Sequence, residues 1–131
     1  MGEMKGKLPD PLRRREILYG RDTPREVLIE HGDLYAAEGR WNDAVEFYGR
    51  AEHQEGLLRI KGIALKEGDY FLFSQVMEFL GNPEDEGWRE VGRAAEEKGK
   101  LQFALKAYER CRDTEGVARV KEKIRKIEEE R

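Results

Sequence analysis

The chain has 131 residues, 40% of them charged and 38% hydrophobic, with a formal net charge of −3. Ala, Glu, Lys, Leu and Arg supply about half of it and Thr occurs only twice, so amphipathic helices are favoured over strands. A single cysteine, Cys111, excludes an internal disulfide framework; no apolar run is long enough to cross a membrane; and twelve basic against twenty acidic residues over 26–116 disfavour a nucleic-acid partner.

In chain order, Met1 to Lys7 lead into Leu8-Pro9-Asp10-Pro11 and not into an apolar segment. No secretory signal is read, and a cytoplasmic location is expected. Residues 1–22 are expected to form an N-terminal extension whose first several residues are loose. Within it, Asp10-Pro11 starts a short helix carrying Leu12, Ile17, Leu18 and Tyr19 and ending at Gly20. The remainder, 23–131, reads as one helical-repeat domain, with hairpins over about 23–52, 53–81 and 82–112 and a capping helix over about 114–131.

Thr23-Pro24-Arg25-Glu26 reads as a capping box with Pro at the first helical position. Val27, Leu28, Leu34 and Tyr35 follow at helical spacing, and Gly39 ends that helix. Trp41, Ala44, Val45, Tyr48 and Ala51 recur every three or four residues and give the second helix. The middle unit breaks at Gly68-Asp69. Its second helix, over 70–80, is apolar nearly all round, which suits the centre of a stack or leaves Phe71 and Phe79 as an exposed apolar contact. Asn82-Pro83 reads as an N-cap followed by Pro, then come Trp88, Val91 and Ala95, the stop at Gly99, and Leu101, Ala104, Leu105, Tyr108 and Cys111. Val117, Val120, Ile124 and Ile127 form the stripe of the last helix, which ends in charge as a solvating cap should.

The hairpins repeat. A shift of sixty residues lays Gly32 on Gly92, Gly39 on Gly99, Ala44 on Ala104, Tyr48 on Tyr108, Arg50 on Arg110, and Glu55-Gly56 on Glu115-Gly116. With Gly68, Tyr70, Phe73, Met77 and Leu80 as an intermediate copy, the period is about thirty residues.

These spacings resemble the tetratricopeptide repeat. Leu28, Gly32, Tyr35, Gly39, Trp41, Ala44, Tyr48 and Ala51 follow that family's pattern of large and small residues, as do Trp88, Val91, Gly92, Gly99, Leu101, Ala104, Tyr108 and Cys111. The chain departs from it in period, about thirty against about 34. It also departs in carrying Gly56 and Gly116 where the family has Pro, and Lys61 and Phe73 where small residues belong. The shorter period also suits other α-solenoids of compact hairpins, such as those of clathrin-like coat proteins. The resemblance implies an all-α, right-handed α-solenoid of about three antiparallel hairpins plus a C-terminal capping helix. It also implies a concave face lined by first helices, where ligands lie. On this chain that face presents Asp33, then Arg59 and Lys66, then Arg89 and Arg93. These are the partner-binding residues it implies. Arg suits carboxylate recognition through its planar fork, so an acidic peptide or a free carboxyl end is the expected ligand. The same arginines also suit pairing with Glu55, Glu86 or Glu90 on solvated helix faces.

No catalytic or metal-binding constellation is read. His31 and His53 lack Cys or acidic neighbours at ligand spacing, Cys111 occupies a small-residue core position, and the glycines recur with the repeat instead of forming a phosphate loop. No cofactor is expected. The expected function is a non-enzymatic scaffold for a protein or peptide. Its alternatives are a module that homodimerises through the aromatic central helix, or an accessory subunit of an enzyme complex. The repeat register itself is testable: Ala104→Leu should overpack a helix contact and lower stability by roughly 1–3 kcal/mol, measured by urea unfolding.

Overall fold

A computed structural model describes residues 7–131; the expected loose start, residues 1–6, lies outside them. The described residues form eight helices and no strand. They are α1 (Pro11–Tyr19), α2 (Arg25–Ala37), α3 (Trp41–Arg50), α4 (Gln54–Glu67), α5 (Tyr70–Leu80), α6 (Asp85–Glu97), α7 (Leu101–Arg110) and α8 (Thr114–Glu129). None of these helices is long and apolar enough to cross a membrane. The chain divides between Ile60 and Lys61, inside α4, into two compact units.

In the first unit α2 and α3 pack as a hairpin. Leu28, Gly32 and Tyr35 are buried on α2, and Ala44, Val45, Phe47 and Tyr48 are fully buried on α3. Their rings stack, Tyr35 on Phe47 at 5.3 Å. α1 lies on both helices through Ile17 and Leu18. Its Arg14 reaches Asp43 at 2.9 Å and Glu46 at 3.3 Å, with its guanidinium over the Tyr35 and Phe47 rings. Burial pulls the Arg14 pKa down, but the two carboxylates more than offset this and the net shift is upward.

In the second unit α6 and α7 pack as the equivalent hairpin, with α5 against both and α8 against α7. Trp88 is buried between Tyr70 and Phe73 of α5, at ring distances of 5.6 and 5.0 Å, and the Arg110 guanidinium lies 4.3 Å from its ring centre. Ala95, Ala104, Tyr108 and Val120 form a core to which Leu101, Phe103, Leu105, Val117 and Ile124 add partly buried surface. The stripe of α8 therefore packs as far as Ile124, while Ile127 is exposed.

Both hairpins are closed by the same chemistry. Gly39 and Gly99 take the left-handed conformation after α2 and α6, and the next amides, of Arg40 and Lys100, reach back to the carbonyls of Tyr35 and Ala95 at 2.9 and 2.8 Å. The turns after α3 and α7 use this geometry too, with Glu52 and Arg112 in the left-handed position. Helix starts use Asp side chains: Asp10 accepts from the Arg13 amide, Asp69 from Leu72 and Asp113 from Gly116.

Two expected caps differ from the structure. Thr23 does not cap α2; Pro24 is the N-cap, in extended conformation, and its carbonyl accepts from the Val27 and Leu28 amides. Asn82-Pro83 does not start α6, which begins at Asp85 behind Glu84. A residue before proline is pushed to extended backbone, and here the extended stretch continues past the proline.

Glycine packs tightly on tyrosine in both units. A Cβ on Gly32 would lie 2.5 Å from the Tyr48 ring, and one on Gly56 would lie 2.8 Å from it. In the second unit Gly92 and Gly116 stand likewise against Tyr108, at 2.9 and 2.8 Å. Gly62, inside α4, would meet nothing within 4 Å. Gly32→Ala should therefore destabilise by about 1–3 kcal/mol through overpacking. Gly62→Ala should stabilise by about 0.5–1 kcal/mol through helix propensity. Urea unfolding of the two variants checks the opposite signs.

Candidate functional site

The residues expected to bind a partner fall into different environments. Asp33 and Arg59 meet at Tyr48. The tyrosine hydroxyl donates to Asp33 at 2.5 Å, and Arg59 donates to the hydroxyl oxygen at 3.2 Å with its guanidinium 5.9 Å from the ring centre. Burial first, then the Asp33 carboxylate, pushes the tyrosine pKa up to about 12. Both residues are solvent-exposed and at the same time brace a buried ring.

Lys66 and Arg93 line one cavity of about 400 Å³ between α4 and α6, within the second unit. Glu90, Glu97, Gly62 and Leu65 share it. Arg93 also pairs with Glu86 at 2.9 Å. Arg89 is not part of this lining; it pairs with Glu86 at 3.1 Å and with Asp113 at 3.5 Å. Hydrogen bonds from Arg93 and then Arg89 hold the Glu86 pKa below its usual value. The site is thus a mixture of both charges and not a cationic stripe.

Phe71 and Phe79 are exposed by 54% and 46%. Phe71 meets Phe103 of α7 edge-to-face at 5.4 Å, and the Lys106 ammonium lies 5.9 Å from the Phe71 ring centre. An aromatic patch with a cation on it therefore stands on the surface of α5 and α7.

His31 is bonded to the Val27 carbonyl through Nδ1 at 2.9 Å and stacks on Phe47, while His53 packs on Tyr48. The Cys111 thiol is buried and donates to the Tyr108 carbonyl. Among the described residues no group of three His, Cys, Asp or Glu side chains is placed to hold a metal.

No family model, curated protein or solved structure matches the chain. Its geometry is therefore the guide to its function.

One cluster was not singled out from the sequence. The Tyr108 hydroxyl donates to Glu96 at 2.8 Å; Arg119 gives Glu96 two further bonds at 2.8 and 2.9 Å, and Lys123 one at 2.6 Å. Arg119 also lies over the Tyr108 ring, at 5.7 Å. The signal was present: the sixty-residue shift that pairs Gly56 with Gly116 pairs Arg59 with Arg119 three residues on. Burial and Glu96 push Tyr108 up to about 12, while Arg119, then Lys123 and the hydroxyl, hold Glu96 down to about 2.

This carboxylate links stability to pH. Its folded pKa of about 2 lies below the ordinary 4.5, so its contribution is present above pH 4.5 and is lost as pH falls towards 2. Glu96→Gln keeps an acceptor but removes the charge. It should cost about 1–2 kcal/mol at neutral pH, a value kept modest because Arg119 is half exposed. The difference from wild type should shrink through that acid window, as followed by urea unfolding at stepped pH.

Proposed function

We propose that the chain is a non-enzymatic scaffold of the cytoplasm. In this reading it is a right-handed, tetratricopeptide-like α-solenoid of about three hairpins with a capping helix, and it binds a protein or peptide partner on its first helices. One observation carries the reading: Lys66 and Arg93, both implied as ligand residues, share one cavity between α4 and α6. An enzyme as the bound partner would make the chain its accessory subunit.

The cavity's chemistry narrows the partner. Lys66 and Arg93 stand with Glu90 and Glu97 around Gly62, Leu65 and Ala94. A segment bearing both acidic and basic side chains beside a small apolar one complements this lining better than a uniformly acidic peptide. Rim charges of this kind steer and select partners more than they hold them.

The exposed Phe71 and Phe79 favour a second reading, self-association through α5. Immobilised wild-type, K66E/R93E and F71E proteins separate the two. Crosslinked partners should bind wild type and F71E, be lost from K66E/R93E, and weaken as salt rises. Retention by K66E/R93E with loss from F71E would move the site to the aromatic patch. Sedimentation velocity should show a monomer; a concentration-dependent dimer abolished by F71E would establish the second reading instead.

A further inference from the structure

Three arginines of the first unit line one cavity of about 310 Å³ between the start of α2 and the end of α3. Arg21 precedes α2, Arg25 opens it and Arg50 closes α3, while Thr23 and Glu52 complete the polar lining. Among the described residues neither Arg21 nor Arg50 makes an ion pair, and Arg25 donates through Nε to the Ala51 carbonyl at 2.8 Å. Elsewhere Arg14, Arg89, Arg93, Arg119 and Arg125 each hold a carboxylate, and Arg59 and Arg110 bond tyrosine hydroxyls.

Two of these cations have no counterpart in the second hairpin, whereas Arg50 has one in Arg110. The sixty-residue shift sets Arg21 against Gly81 and Arg25 against Asp85, and α6 is a helix of 13 residues just as α2 is. Arg25 even opposes its own helix. It occupies the first turn, where the macrodipole favours an acid, and no side chain caps the amide end of α2. Glu26 in that turn offsets part of the charge, and Glu52 is the one carboxylate in the lining. Three guanidinium groups beside an uncapped helix start leave a site of net positive charge in an acidic protein.

We infer that this cavity binds a small phosphate-bearing molecule. A planar guanidinium offers two parallel donors to phosphate oxygens, and three cations against one carboxylate match a dianion better than a single carboxylate. The volume suits a phosphate group with a small organic body, at the lower end of ligand-pocket sizes of roughly 300–1,000 Å³. A nucleic-acid chain would meet the acidic body, net −8 over residues 26–116.

The test is a titration of the full chain with inorganic pyrophosphate, followed by backbone amide shifts. Saturable shifts should be confined to residues 20–28 and 50–52. The midpoint should rise at least tenfold in R21Q/R50Q, whose side chains are exposed and whose circular dichroism should match wild type. R21Q alone, which alters only the segment before α2, serves if the double variant loses helix. R15Q/R131Q, with the same net charge, should bind as wild type does. Shifts spread over all basic residues, absence of saturation, or equal losses in the two double variants would overturn the inference. Tighter binding of a single-stranded oligonucleotide at equal phosphate concentration would overturn the small-molecule assignment.

Discussion

A tyrosine ring wedged against two helical backbones sets the geometry of each unit. Gly32 and Gly56 leave room for Tyr48, and Gly92 and Gly116 for Tyr108, because a Cβ at any of the four would enter the ring's contact distance. The separation within each pair is 24 residues, so an insertion between them would carry the second backbone off the ring. Once the ring is placed, its hydroxyl is fixed as well. It finds a carboxylate on the first helix, Asp33 or Glu96, and a guanidinium from the following helix, Arg59 or Arg119, covers the ring. A packing constraint thereby dictates where charges stand on the surface, and two buried hydroxyls gain the partners they require.

The helical content was legible because several signals agreed. Composition, a period near thirty residues, and Asp or Gly at the ends of elements all point to helices, and Asp10 and Asp69 do cap the helices they precede. Thr23 and Asn82 misled for one reason. A capping residue is recognised by type, but it works only where the backbone turns within reach of its oxygen, and proline shifts that point along the chain. The central helix α5 was ambiguous for another reason. Apolar residues surround it, so periodicity could not rank its faces; packing on α6 and α7 buries Leu72, Phe73, Val76 and Met77 and leaves Phe71 and Phe79 out.

The candidate sites were less legible, because long side chains choose partners that sequence separation does not reveal. Arg89 and Glu86, one helical turn apart, could be paired by inspection. Arg89 with Asp113, or Arg119 with Glu96, could not, since each pair depends on how one helix lies on another. The same dependence splits the expected cationic row: Arg59 belongs to a tyrosine brace, Arg89 to a carboxylate pair, and Lys66 and Arg93 to a shared cavity. The arginines around the end of α3 were invisible for a related reason. Arg21, Arg25 and Arg50 are scattered along the chain and converge only when the hairpin closes.

The two tryptophans give each unit its own optical signal. Trp41 opens α3 in the first unit and is partly buried, while Trp88 is buried in the second beneath the guanidinium of Arg110. A cation held against the indole face perturbs its excited state and is released when the packing around it dissolves. Replacing either indole by phenylalanine would leave a chain whose emission follows one unit alone. Coincident melting curves for the two single-tryptophan proteins would mean that the units unfold as one cooperative block, and separated curves would give each its own transition.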